Sequence, residues 1–135
     1  MTLADIIKKY GTTTRKKPTD HEHQLQVACV RWFNSEYPNL QGRLFAVPNG
    51  GRRDATTAAK LKAEGVVAGV ADLILLARNK DYGALLIELK TEKGRQSQSQ
   101  KNWQQLVTQY SEYRYVVVRT LEEFQKAIKD YLQNQ

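Results

Sequence analysis

The spacing of apolar residues along the chain predicts an alternation of helices and short strands. Apolar positions three or four residues apart predict five helices, at residues 3–10, 20–36, 54–64, 97–112 and 121–132. Short apolar runs predict four strands, at residues 43–47, 72–77, 84–90 and 115–119. The middle strands are apolar on both faces, so we expect helices on both sides of the sheet. The predicted fold class is therefore α/β, with a mixed β-sheet flanked by helices.

The segment before the second predicted helix is polar and basic. Residues 11–19 contain three basic side chains among threonines, which is typical of a loop or a basic arm. Thr19 or Asp20 is a suitable N-cap for the helix that follows. We therefore expect residues 1–18 to form an N-terminal helix and basic arm, and residues 19–135 to form a single domain.

The composition excludes several classes of protein. The 135-residue chain has one cysteine, Cys29, which excludes an internal disulfide and a zinc site built from several cysteines. Its longest apolar runs are about six residues, whereas a membrane-spanning helix needs roughly 20. The first residues also lack the basic-then-apolar order of a signal peptide. We therefore expect a cytoplasmic protein with no membrane partner.

The net charge of +7 is distributed unevenly along the chain. Residues 1–19 and 42–62 each carry five basic and one acidic side chain, and residues 90–101 carry four and one. Residues 20–41 and 63–89 each have a net charge of −2. A basic protein of this kind is expected to bind a polyanion such as nucleic acid. The acidic side chains that it retains require a separate explanation.

Two of these acidic residues lie in strands that are otherwise apolar. Glu88 lies within the sequence LLIELK, and Lys90, two residues later, projects from the same face of the strand. Asp72 begins the preceding strand. If the two strands form an antiparallel hairpin with its turn near Lys80, Asp72 pairs with Glu88 on one face of the sheet. A bulge at Gly83 would break this pairing.

Two carboxylates this close repel each other unless a cation joins them. Mg²⁺ or Mn²⁺, hard ions that prefer oxygen ligands, would satisfy both. Lys90 could then orient or help to deprotonate an attacking water, or balance the charge of a phosphate. An acid pair with a lysine in a basic protein therefore predicts metal-assisted hydrolysis of phosphodiester bonds.

Two further polar residues are expected near this pair. Glu22 lies three residues before Leu25 on the inward stripe of its predicted helix, so we expect it to face the end of the sheet. The fourth predicted helix carries a stripe at alternating spacings of four and three residues: Gln96, Gln100, Trp103, Val107 and Tyr110. Because the stripe is apolar from Trp103 onward, Gln100 at its polar end is a candidate for holding water or a phosphate oxygen.

Several short motifs together resemble a known group of nucleases. GVADLILL at 69–76, IELK at 87–90 and SQSQKNW at 97–103 resemble the PD-(D/E)XK nuclease superfamily. PNGGRR, LKAEGV and VVVR resemble, more specifically, the VRR-NUC nucleases. The resemblance covers residues 19–132, nearly the whole chain. The Glu-Leu-Lys triplet alone is common, whereas the ordered set of motifs is specific.

The resemblance implies a restriction-endonuclease-like fold and a set of roles for individual residues. Asp72, Glu88 and Lys90 would be catalytic, with Asp72 and Glu88 as ligands of Mg²⁺ or Mn²⁺. The backbone carbonyl of Leu89 would be an additional metal ligand. Glu22 would be a helix-borne catalytic acid and a possible further ligand, and Gln100 would be an accessory catalytic group.

The resemblance also implies a substrate and an assembly. Small members of the family resemble Holliday-junction resolvases, so a structure-selective DNA endonuclease that acts on branched DNA as a homodimer is expected. Ala71 stands where the family commonly has proline before the metal aspartate. Alanine constrains the backbone before Asp72 less than proline would, and the departure removes no metal ligand.

Turn and basic residues around the predicted site are candidates for DNA contacts. They lie in the glycine-rich turn after the first strand, on the helix at 54–64, and in the loop after Lys90. The candidates are Asn49, Gly50, Arg52, Arg53, Lys60, Lys62, Lys93 and Arg95.

Other functions are compatible with the same sequence. A nuclease of this fold could act on flaps or on plain duplex DNA. An RNA substrate is also possible, because the sequence contains no recognisable motif that would distinguish RNA from DNA at the ribose 2′-hydroxyl. A non-catalytic nucleic-acid-binding module with the same fold is an alternative from a different class. Such a module would not bind divalent metal, which distinguishes it from an enzyme.

Overall fold

Four α-helices, four strands and one short 3₁₀ helix make up the part of the chain that the computed structural model describes, residues 16–48 and 54–135, with side chains from Asp20 onward. The helices are α1 (Lys16–Glu36), α2 (Ala55–Ala63), α3 (Gln98–Thr108) and α4 (Leu121–Gln133), and the 3₁₀ helix is Pro38–Leu40. The strands are β1 (Leu44–Ala46), β2 (Leu73–Leu75), β3 (Ala84–Leu89) and β4 (Tyr113–Val118).

The four strands form one mixed sheet in the order β1-β2-β3-β4. β1 pairs antiparallel with β2, β2 pairs antiparallel with β3, and β3 pairs parallel with β4. Parallel neighbours need a crossover connection, and α3 supplies it between β3 and β4. The mixed sheet with its helices confirms the α/β class that the apolar pattern predicts.

Helices cover the sheet on both faces. On one face, α1 and α4 pack over the odd-numbered residues of β3 such as Ile87, and Phe33 and Phe124 are fully buried there. On the other face, α3 packs on β4, with the ring centroids of Trp103 and Tyr115 6.1 Å apart. Successive side chains of β3 therefore enter two different cores.

Helix α1 begins earlier than predicted, at Lys16. Pro18 lies in its first turn, where proline is tolerated because an N–H at that position has no intrahelical partner. The prediction of a loop over residues 16–19 is therefore wrong, and Asp20 lies inside the helix and not at its N-cap. The predicted helix at 3–10 lies outside the described residues.

Helix α3 ends earlier than predicted, at Thr108. The chain turns at Ser111, which has a φ of 57°, and then enters β4. Tyr110 therefore lies beyond the helix and is 75% exposed, so the prediction that it continues the apolar stripe of this helix is wrong. Trp103, on the same predicted stripe, is partly buried as expected.

Cys29 is a free, fully buried cysteine on the inner face of α1. Burial raises the pKa of its thiol to about 12, so it packs as a small apolar side chain. Over the described residues, none of the helices is both long enough and apolar enough to cross a membrane.

A Tyr131→Phe variant is expected to lose about 1 kcal/mol of unfolding free energy. The hydroxyl of the buried Tyr131 of α4 donates to the carbonyl of Ala77 at 2.6 Å and, more weakly, to that of Tyr82 at 3.2 Å, both in the connection between β2 and β3. Phenylalanine keeps the ring in the core, so the change removes only the hydrogen bonds of the hydroxyl. Urea unfolding measures the loss, with the exposed Tyr110→Phe as the control. Equal unfolding free energies for both variants would contradict the expectation.

Candidate active site

Asp72 and Glu88 lie opposite each other at one end of the β2–β3 hairpin. Leu73 pairs with Ile87, so the same register continued by one residue places Asp72 opposite Glu88. The next two pairs follow without interruption, so Gly83 introduces no bulge that shifts the register. Asp72 lies one residue before β2, and the register of the hairpin agrees with the predicted placement of both side chains on the face of the sheet that α3 covers.

The backbone of β3 holds Asp72 in place. The Leu89 N–H donates a hydrogen bond of 2.7 Å to Oδ2 of Asp72. Burial raises the pKa of the Asp72 carboxyl above its usual value, the Leu89 hydrogen bond lowers it, and the charge of Glu88 raises it again. The Asp72 carboxyl is therefore partly desolvated and lies in the field of a second carboxylate.

Glu88 is fully buried within a strand of aliphatic residues. Its Oε1 accepts hydrogen bonds from the Tyr115 hydroxyl and, at 3.4 Å, from Nε2 of Gln96. Its Oε2 is buried and has no hydrogen-bond partner among the described residues. Leaving a buried carboxylate oxygen without a partner is costly, so this oxygen is suited to a ligand.

Glu22 approaches the same end of the sheet from α1 and is half-buried. Burial is the largest cause of a raised pKa at Glu22. The positive charge of Lys90 lowers this pKa, and the negative charges of Asp72 and Glu88 raise it. Glu22 therefore shares one electrostatic environment with the two strand carboxylates, which agrees with its position on the inward stripe of the helix.

Lys90 and the Leu89 carbonyl complete the end of β3. The Lys90 N–H donates to the Val118 carbonyl of β4 at 3.0 Å, whereas the Leu89 N–H points to Asp72 on the other side. The N–H and C=O of one strand residue point to the same side, so the Leu89 carbonyl also lies on the Asp72 side. We refer to Glu22, Asp72, Glu88 and Lys90 as the carboxylate site.

The donor set of this site fits a hard divalent cation. Asp72 and Glu88 share one face of the sheet, Oε2 of Glu88 is unpartnered within the described chain, and the Leu89 carbonyl adds a neutral oxygen. Within residues 20–48 and 54–135, no group of three His, Cys, Asp or Glu side chains is arranged to hold a metal ion. Glu22 therefore does not form a three-acid cluster with Asp72 and Glu88, and these last two carboxylates are the principal candidate donors.

The residues that contact Glu88 differ from those expected. Gln100 uses its Oε1 to accept a hydrogen bond of 2.8 Å from the Ser97 N–H, as part of a capping box at the start of α3. Gln96, at the polar end of the same predicted stripe, is the glutamine that reaches Glu88. Tyr115 was not among the candidates, because it lies in a sequence of aliphatic residues that is typical of a buried strand.

Some of the predicted DNA contacts can be located. Four are exposed: Lys60, Lys62, Lys93 and Arg95. Lys93 and Arg95 lie in the loop directly after β3. Arg119 holds this loop, since its Nη1 donates to the carbonyls of Thr91 at 2.7 Å and Gly94 at 2.6 Å. The other four lie outside the described residues: Asn49, Gly50, Arg52 and Arg53.

Comparisons with known proteins identify a domain family and a shared fold. The profile of the VRR-NUC domain matches residues 20–121 of the chain. Among solved structures, one described as a VRR_NUC domain protein is 24% identical in sequence, with a TM-score of 0.73 over 84% of this chain and 89% of that chain. This likeness shows a shared fold, consistent with a restriction-endonuclease-like sheet. A search of curated proteins found no match.

Proposed function

The chain belongs to the VRR-NUC family of nucleases, and from this premise we propose that it is a Mg²⁺- or Mn²⁺-dependent DNA endonuclease that cleaves branched DNA as a homodimer. The observation that carries the proposal is the buried Glu88, opposite Asp72, whose Oε2 has no partner in the described part of the chain. A purely structural buried glutamate normally has its oxygens hydrogen-bonded.

Some residues of the site would bind the cation, and others would act on the attacking water or on the phosphate. Asp72, Glu88 and the Leu89 carbonyl would hold the cation, with Glu22 as a further acid nearby. When bound, the cation supplies Lewis acidity, which makes water more acidic and offsets the charge that develops on the phosphate. Lys90 would orient the attacking water or balance phosphate charge. Gln100 keeps its Nε2 for a phosphate oxygen, because the capping box uses its Oε1.

The basic surface supports a polyanionic substrate. Lys93 and Arg95 are exposed directly beyond the carboxylate site, and Lys60 and Lys62 are exposed on α2. Side chains of this kind neutralise backbone phosphates without reading sequence. A homodimer would present two sites related by a two-fold axis, which suits a roughly symmetric four-way junction.

A panel of substrates tests the proposal. A four-way junction, a flap, a linear duplex and an RNA of the same sequence are incubated with Mg²⁺, Mn²⁺ or EDTA. We expect the junction to be cut fastest, with no product in EDTA. Fastest cleavage of another substrate would contradict the preference for branched DNA. If no substrate is cut and Mn²⁺ titration releases no heat, the chain is a non-catalytic binding module.

The homodimer is tested separately by sedimentation equilibrium at micromolar concentration. The chain mass is 15.5 kDa, and we expect a species of twice this mass. A monomer at micromolar concentration, with or without junction DNA, would contradict the homodimer and leave the nuclease assignment intact.

A Lys93→Ala, Arg95→Ala double variant is expected to weaken DNA binding without changing the catalytic site. The slope of log affinity against log salt is negative, and each lost phosphate contact reduces its magnitude by about one, so we expect a slope that is smaller in magnitude by about two. Fluorescence anisotropy of junction DNA over a salt series measures the slope. Lys80→Ala, an exposed lysine at the opposite end of the β2–β3 hairpin, is the control. Identical slopes for the double variant and this control would exclude contacts by the loop.

A further inference from the structure

The two oxygens of the Glu88 carboxylate have different surroundings. Oε1 accepts hydrogen bonds from the Tyr115 hydroxyl and from Nε2 of Gln96. Oε2 has no partner among the described residues although it is fully buried. A carboxylate held in this way cannot rotate freely, and it offers a single oxygen to a ligand.

The groups that hold Oε1 are themselves fixed. Tyr115 is only 7% exposed, and its ring packs against Trp103 of α3. Gln96 donates a second hydrogen bond, of 2.8 Å, from Nε2 to Oε1 of Gln104. Both donors therefore reach Glu88 from packed or hydrogen-bonded positions, and neither has to be ordered when a ligand arrives.

We propose that Tyr115 is a positioning residue that restricts Glu88 to one metal-binding oxygen and thereby selects Mg²⁺ and Mn²⁺ against Ca²⁺. This inference rests on the proposed metal-dependent function. Mg²⁺ requires near-octahedral geometry and is usually bound through few carboxylate oxygens, whereas Ca²⁺ accepts six to eight oxygens and often takes a carboxylate through both. With Oε1 occupied by Tyr115, Glu88 is a poor ligand for the larger ion.

Hydrogen bonds from neighbouring residues commonly fix the orientation of a metal-ligating side chain and thereby change the affinity of the site for the metal. Loss of such an outer partner typically changes metal affinity or activity by about 10–100-fold. In Tyr115→Phe, the ring and its packing remain, and only the hydroxyl that holds Oε1 is lost. Glu88 then becomes free to rotate and to offer both oxygens, which weakens the site for Mn²⁺ more than for Ca²⁺.

Calorimetric titration of the whole chain with Mn²⁺ and with Ca²⁺, in the absence of DNA, tests the inference. We expect Tyr115→Phe to bind Mn²⁺ about tenfold more weakly and Ca²⁺ less affected, so that the ratio of the two dissociation constants shifts toward Ca²⁺. Tyr113→Phe, two residues earlier on β4 and more exposed, is the matched control and should keep the wild-type ratio. Gln96→Met, which removes the weaker donor, should shift the ratio in the same direction by less.

The outcomes separate this inference from the proposed function. If the wild-type chain binds Mn²⁺ and Tyr115→Phe keeps the same Mn²⁺ to Ca²⁺ ratio, the selecting role of Tyr115 is overturned while the metal-dependent function stands. If the wild-type chain binds neither ion, the proposed function fails and the inference fails with it. Should Tyr115→Phe not fold, an unchanged ratio in Gln96→Met overturns the role of the Oε1 hydrogen bonds.

Discussion

An Asp72→Asn variant is expected to cleave DNA about a thousandfold more slowly than the wild-type chain while it still binds DNA. Asparagine keeps the size of the side chain and an oxygen that can accept the hydrogen bond from the Leu89 N–H, so the strand register should survive. The change removes one of the two charges that would hold the cation. Charge stabilisation by such a cation is worth several kcal/mol, and about 4 kcal/mol corresponds to a thousandfold in rate.

Single-turnover cleavage of junction DNA with Mg²⁺ measures the loss, and anisotropy in EDTA measures DNA binding. Asp130→Asn is the matched control, because Asp130 is an exposed aspartate on α4 that pairs only at the surface with Lys126. Thermal melting verifies that both variants are folded. Cleavage by Asp72→Asn within tenfold of the Asp130→Asn rate would exclude Asp72 as a metal ligand.

The geometry of Asp72 and Glu88 could be predicted because local features fix it. The two strands are joined by the connection at residues 76–83, so pairing between them is local in sequence and its register depends on the position of the turn. The apolar residues on both strands then specify that register, since a slip by one residue would exchange the two faces. The observed pairing of Leu73 with Ile87 follows this logic.

The contact between Tyr115 and Glu88 could not be predicted in the same way. It depends on the parallel pairing of β3 with β4, in which Leu86 lies opposite Tyr115. That pairing follows a crossover through α3, and its register depends on how the helix packs and not on a turn. Nothing in the sequence YVVVR distinguishes this tyrosine from an ordinary core aromatic.

The glutamines of α3 are an intermediate case. Ser97 followed three residues later by Gln100 is a capping-box pattern at the start of a helix, and the structure has this box. The sequence pattern therefore indicates that Gln100 caps the start of the helix. The helical spacing placed Gln96 and Gln100 on one stripe, but Gln96 lies before the N-cap Ser97 and outside α3. The spacing therefore could not tell which of these two glutamines reaches the strand.

A Gly69→Ala variant is expected to lose about 2–5 kcal/mol of stability and most of its activity. Gly69 has a φ of 85°, which costs an alanine roughly 1–2 kcal/mol. An added Cβ would also lie 2.3 Å from the carbonyl oxygen of Ser99 and 2.8 Å from the nitrogen of Gln100. Because these are backbone atoms in the first turn of α3, the helix start must move, which adds about 1–3 kcal/mol. Gln96, directly before that turn, would lose its position beside Glu88.

Gly65→Ala separates the two causes of this loss. Gly65 also has a positive φ, of 101°, but an added Cβ there has no atom within 4 Å among the described residues. Gly65→Ala should therefore show the backbone penalty alone, about 1–2 kcal/mol, with cleavage close to that of the wild-type chain. Urea unfolding and junction cleavage of both variants provide the comparison. Equal losses in the two variants would mean that the approach of Gly69 to α3 contributes nothing to the fold or to the site.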